Sequence, residues 1–293
     1  MIKIFEMSGV DMKDFSRKAR SRDFKAVSLG LTATVSVENE IKRDVSKNVV
    51  AQITGTTRPD EAIVYTAHWD HLGVGQVVDG DSIYNGAMDN ASGTSVMLGI
   101  AERMIREGIR PERSIVFLAV TAEEQGLLGS KYYAENPTFP PEKMIANLNI
   151  DGASYFGPMK DLTVIGYGQS ELDDLAKQVA ESQGRYVKPD PDAGKGYFFR
   201  SDHFNFAKIG VPALYASADY EAVDGGVELI ETMKTKYLNE RYHRPADEFE
   251  AVPWRFGGLY QDGNLYYEVG LRLANSEVFP RWKEGSEFKN LRE

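Results

Sequence analysis

The chain has 293 residues, with 44 acidic against 34 basic side chains and a net charge of −10, which argues against phosphate backbones or anionic membrane surfaces as partners. It contains no cysteine, which excludes disulfides, thiolate metal sites and a cysteine nucleophile. No apolar run reaches membrane-spanning length, and the size suits one large α/β domain or two small ones.

Residues 1–45 read as an appendage, possessing the pattern of a short initial strand, a basic helical stretch around Asp14–Arg22, and the alternating LGLTATVSVENEI as a further strand or an edge of the main sheet. The opening MIKIFEMSGVDMKDFSRKARS is too charged for a signal peptide. If a leader and a larger N-terminal region have been removed, the protein is expected to be secreted or periplasmic; otherwise it is expected to be cytoplasmic.

From Asn48 the pattern changes, and residues 46–293 read as one catalytic-sized domain. NVVAQITG, AIVYTAHW, SIVFLAVT, MIANLNID, DLTVIG and PALYAS read as buried strands rich in β-branched residues. Between them, Asn90–Glu107, Gly126–Glu135, Glu171–Gln183, Asp202–Lys208 and roughly Gly257–Asn275 read as helices. Strands alternating with helices predict an α/β fold, a three-layer αβα sandwich around a mostly parallel, mixed sheet. GVGQVVDGDSIYNG reads as an exposed loop, and no internal repeat is present.

Three of these strands end in ionisable residues. AIVYTA runs into His68 and Asp70, SIVFLAVTA into Glu123 and Glu124, and MIANLNI into Asp151. Ligands of open parallel sheets gather outside the carboxyl ends of the strands, so these groups should converge on one crevice. Asp89 in GAMDNASG and His243 in YHRPAD, beside Tyr242, join them; the chain has only four histidines in all. Carboxylates crowded into one crevice resist ionisation unless cations neutralise them. Two divalent ions with one hydroxide would balance Asp89, Glu124 and Asp151, and imidazole with carboxylate is the ligand set of catalytic zinc.

These residues resemble the co-catalytic dizinc aminopeptidases, the group that holds bacterial leucyl aminopeptidases, aminopeptidase Y and the glutamate carboxypeptidase and transferrin-receptor relatives. The resemblance runs from about Ser46 through the last helix and rests on AHWDHLG, NGAMDNASG, TAEEQGLLGS, LNIDG, RSDHFNFAKIGVPAL and YHRPAD, in the family order. It implies the zinc-exopeptidase, phosphorylase/hydrolase-like fold and two Zn2+ ions, for which cobalt or manganese can substitute. His68 and Asp151 would hold one ion, His243 and Glu124 the other, and Asp89 would bridge them. Asp70 would hold the His68 imidazole, Glu123 would be the general base for a bridging hydroxide, and Tyr242 would steady the oxyanion. The resemblance also implies a cis peptide after Asp89, and leaves His71 a structural bystander.

The implied activity is hydrolysis of the N-terminal bond of a peptide substrate. Carboxypeptidase or dipeptidase action stays open, with Arg200 as a candidate anchor for a terminal carboxylate. So do a single-zinc glutaminyl cyclase and a metal-free binding module of transferrin-receptor type. Ser201 and Asp202 have a complete structural account as a helix cap and an acidic first turn, while the resemblance equally implies a supporting role for Asp202 and His203 near the substrate cleft. Asp79 and Asp81 read as loop residues, and Tyr197-Phe198-Phe199 as core or cleft wall.

Overall fold

A computed structural model describes residues 2–41, 43–250 and 253–292. The chain divides into two compact units, Met1–Val45 and Ser46–Glu293.

In the first unit, α1 (Ile2–Ser8) and α2 (Met12–Lys18) form a small helical pair. The Asp11 side chain accepts the Asp14 N–H at 2.6 Å and caps α2. Phe15 packs between Phe5 and Phe24, with ring centroids 5.1 and 5.3 Å away. The start of the chain is therefore helix where the sequence predicts strand. The alternating stretch 29–41 is not strand either, and Val35, Val37 and Ile41 stand exposed. Alternation makes a strand only where a partner supplies the hydrogen-bond ladder; a helix satisfies its backbone internally.

The second unit contains β1 (Val49–Ile53), β2 (Arg58–His68), β3 (Gly73–Val78), β4 (Asp81–Tyr84), α3 (Ser92–Arg106), β5 (Arg113–Val120), α4 (Leu128–Glu135) and β6 (Met144–Asn149). It continues with β7 (Asp161–Val164), α5 (Leu172–Ser182), β8 (Tyr186–Pro189), α6 (His203–Lys208), β9 (Ala213–Ser217), α7 (Gly226–Glu240) and α8 (Gly257–Ala274). Seven strands form one sheet in the order β1-β5-β2-β6-β9-β7-β8. The β5-β2-β6-β9 centre is parallel, while β1 pairs antiparallel to β5 and β7 antiparallel to β9.

The central strands are buried over most of their length and largely apolar because both faces are covered. Along β2, Ile63, Tyr65 and Ala67 join the core built on α3, α5 and α8. The alternate residues Ala62 and Val64 face the opposite core, which takes Tyr133 from α4 and Phe206 from α6. That alternation produces the three layers. Gly270 lets α8 approach β2 closely, since a Cβ there would lie 1.8 Å from the Tyr65 hydroxyl, which donates to the Tyr266 carbonyl at 2.7 Å.

Three elements depart from the sequence reading. GVGQVVDGDSIYNG forms the β3-β4 hairpin, turned by Asp79 and Gly80, both at positive φ. That is the Asp-Gly signature of a tight hairpin turn. Helix α7 has only Ile230 and Tyr237 buried, too narrow a stripe to stand out as a period. Strand β8 is a four-residue edge. Among the described residues no helix is long and apolar enough to cross a membrane.

Candidate metal centre

The carboxyl ends of the central strands meet where the sheet topology requires. His68 ends β2, Glu123 and Glu124 follow β5, and Asp151 follows β6. Asp89 comes from the turn before α3, and His243 from the loop after α7. The His68 Nε2 lies 3.2 Å from Asp89 Oδ1 and 3.3 Å from Asp151 Oδ1. The His243 Nε2 lies 3.4 Å from Asp89 Oδ2 and 3.0 Å from Glu124 Oε2. One carboxylate, Asp89, thus turns one oxygen to each imidazole.

Hydrogen bonding fixes what these atoms can do. His68 Nδ1 lies 2.9 Å from the Asp70 carbonyl oxygen, which can only accept, so Nδ1 carries the proton. Nε2, the other ring nitrogen, faces two carboxylate oxygens. Acceptors gathered at this spacing could hold a cation. Ligand atoms of His68, Asp89 and Glu124 all lie within 4.8 Å of one another. The set is nitrogen and oxygen with no thiolate, a donor chemistry that fits zinc in a catalytic type of site.

The surroundings hold each carboxylate. Asp247, buried, accepts the main-chain N–H groups of Met88 and Asp89. Gly86 permits the turn, as a Cβ there would meet the Asp89 carbonyl oxygen at 2.3 Å. The Asp89–Asn90 peptide is cis, as the resemblance implies. Asn90 accepts N–H bonds from Gly93 and Gly152, both at 3.0 Å, and donates to the Ile150 carbonyl, tying this turn to the end of β6. Beneath Asp151 lies a buried polar chain: Asn147 donates to Thr66, Thr66 to Asn149, Asn149 to Ser201, and the Ser201 hydroxyl to Asp151 Oδ2. Every donor in it points toward Asp151.

The electrostatics follow from this crowding. Burial pulls the His68 imidazole down, but Asp151 and Asp89 outweigh it and hold its pKa well above the usual value. Hydrogen bonds to Asp89 and Glu124 push His243 up to about 10. Burial acts to raise Glu124, yet His243 and His71 bring it to about 2. Glu123 is pushed up to about 9 by burial and then by Asp151. Burial, with Asp89 and Glu124 nearby, raises the Tyr242 phenol, which therefore stays a proton donor. Its ring stacks on His243 at 3.9 Å.

Several residues sit differently from expectation. Asp70, expected to hold the His68 imidazole, contacts it through its main-chain carbonyl. The Asp70 carboxylate accepts from the Thr121 hydroxyl and the Ala122 N–H. Ser201 does not cap α6, its hydroxyl being committed to Asp151. His71 Nδ1 lies 2.8 Å from Glu124 Oε1, beside a residue expected to bind metal. Buried His203 packs between the rings of Phe198 and Tyr215, at 4.7 and 5.0 Å, and burial pushes neighbouring Asp202 up to about 7. Arg200 lies over the Tyr197 ring at 5.5 Å. Asp247 escaped the sequence reading, although it closes the YHRPAD motif.

Comparison with known proteins gives the family of the chain. The model of peptidase family M28 matches residues 48–267. The chain is 35% identical over 127 residues to an aminopeptidase NAALADL1 of Mus musculus, covering 42% of this chain and 16% of that protein. It is 34% identical over 180 residues to leupeptin-inactivating enzyme 1 of Streptomyces exfoliatus, covering 59% of this chain and 39% of that one. The chain thus spans well under two thirds of these curated relatives. A zinc aminopeptidase of Bacillus subtilis shares the fold at a TM-score of 0.57 and 22% identity, over 83% of this chain and 52% of that one.

Proposed function

The chain belongs to peptidase family M28, and from that premise we propose that it removes N-terminal residues from peptides with two zinc ions. His68 and Asp151 would hold one ion, His243 and Glu124 the other, with Asp89 serving both. The observation that carries this reading is the Asp89 carboxylate, which turns Oδ1 to His68 and Oδ2 to His243. When bound, the zinc pair supplies Lewis acidity, lowering the pKa of water toward neutrality and polarising the scissile carbonyl.

The protein's own residues do the rest. Glu123 takes the proton from the attacking water at its carboxylate and returns it to the leaving amine, one residue serving both transfers. Its buried position keeps that proton from bulk solvent. Tyr242 donates its hydroxyl to the carbonyl oxygen as negative charge gathers there. An acidic crevice favours a substrate entering by its protonated α-amine over one presenting a carboxylate, which supports amino-terminal action. The name of the mouse relative agrees with this.

The test is a panel of aminoacyl chromogenic amides, each with its N-acetylated counterpart, assayed with zinc, cobalt and manganese, together with zinc analysis of the purified protein. Cleavage of the free-amine substrates alone is expected. Equal cleavage of the blocked ones would rule out aminopeptidase action, and absence of bound zinc would favour a binding module.

A further inference from the structure

We propose that the Asp70 carboxylate is a positioning residue for the general base, clamping the left-handed turn at Ala122 that presents Glu123. The proposal rests on the peptidase reading above and adds to it a role that the His68 contact does not explain.

Backbone bookkeeping across the β5 exit singles out Asp70. On the carbonyl side, Gly129 donates to Thr121, Leu128 to Ala122, and both Gly126 and Leu127 to Glu123, all at 2.8–3.1 Å. These bonds come from the following turn and belong to the same segment. On the amide side, the Thr121 N–H donates to Asn48 Oδ1 at 3.1 Å, and the Ala122 N–H donates to Asp70 Oδ1 at 2.8 Å. The Thr121 hydroxyl bonds the second Asp70 oxygen. Asp70 is thus the side chain that holds the residue immediately before Glu123.

That residue needs holding. Ala122 has φ +52°, a conformation in which the Cβ of any L-residue crowds the following carbonyl. A half-buried acceptor aimed at its N–H keeps the turn in place, and Glu123 projects from the next Cα. A general base displaced by an ångström loses its alignment with the attacking water.

The geometry separates this role from support of His68. The bond to His68 Nδ1 comes from the Asp70 main-chain carbonyl and survives any side-chain substitution there. Removal of the carboxylate should therefore disturb Glu123 and spare the imidazole.

The experiment is a cycle of four zinc-loaded proteins: wild type, D70A, A122G and D70A/A122G. Glycine carries no Cβ and adopts positive φ freely, so it relieves the strain that Asp70 restrains. D70A is expected to lose about a hundredfold in kcat, with KM and zinc affinity unchanged. The double variant should recover about tenfold of that loss. A fall in zinc affinity in D70A, or no recovery in the double variant, overturns the proposal. Should D70A fail to fold, D70N, which keeps an oxygen for the Ala122 N–H, is compared with D70L; equal kcat in the two is the overturning result.

A wild type that cleaves no aminoacyl substrate sinks the peptidase reading alone. The clamp is then decided by thermal unfolding: D70A should lower Tm more in the wild-type background than in the A122G background, and equal decrements would refute it.

Discussion

The Asp247 carboxylate accepts the main-chain N–H of Asp89 at 3.2 Å, so a residue distant in sequence fixes the group that lies between both imidazoles. Asp247 also takes the Met88 N–H and sits buried, so its loss frees two amides at once. D247A is expected to weaken zinc binding about 10–100-fold, the usual penalty for removing a partner that orients a ligand. Competition against a chromogenic chelator measures this. Unchanged affinity would show that the turn stands without Asp247.

Glu123 is buried, and its neighbour Asp151 adds to the effect of burial in keeping it protonated at neutral pH when the residues stand alone. A dication among these carboxylates would favour its ionised, proton-accepting form. E123Q removes that proton acceptor at nearly constant volume. A fall of about 10²–10⁴-fold in kcat is expected, with metal content near that of wild type. Retained turnover in this variant would remove Glu123 from the mechanism.

The chain of donors under Asp151 makes a separate prediction. Asn149 occupies a lone pair of Ser201, which aims the Ser201 hydroxyl proton at Asp151 Oδ2 and leaves Oδ1 to face His68. S201A takes away that donor and frees the second oxygen. Zinc affinity is expected to change by about tenfold or more, while S201T, which keeps a hydroxyl, stays closer to wild type. Isothermal titration of the metal-free protein with zinc distinguishes the two.

Asp173 gives a pH dependence remote from the metal centre. It accepts the Gly168 N–H at 2.7 Å in the first turn of α5, and burial pushes its carboxyl from 3.8 up to about 6. Because the folded state holds the proton more tightly than the unfolded state, the stability linked to it is complete below about pH 3.8 and lost as pH rises through about 6. D173N keeps an oxygen for Gly168 and carries no charge. At pH 7 it is expected to be more stable than wild type by roughly 2 kcal/mol, a difference that shrinks as the pH approaches 4. Urea unfolding across that range would show it, and a pH-independent difference would contradict it.

The sheet and the gathering of ligands were legible because a covered parallel strand leaves a continuous apolar run and its carboxyl end is where ligands collect. AIVYTAH and MIANLNID show both features. What escaped was direction. Nothing in HWDH tells whether Asp70 offers His68 its carboxylate or its carbonyl, and the answer depends on where β5 exits. Ser201 could cap a helix or brace Asp151, and only the approach of β6 decides. The first unit misled for a simpler reason, as alternation in 29–41 has no paired strand to act upon.

The parallel pairing of β2 with β5 and β6 carries a consequence for how the proposed metal would be acquired. His68 and Glu124 come from neighbouring strand ends, whereas His243 arrives from far along the sequence, after α7. Long-range parallel pairing is slow to form, and no short segment holds enough donors to bind zinc tightly by itself. Tight zinc uptake during refolding should therefore lag behind the recovery of helical signal, making the metal a late witness to completed topology.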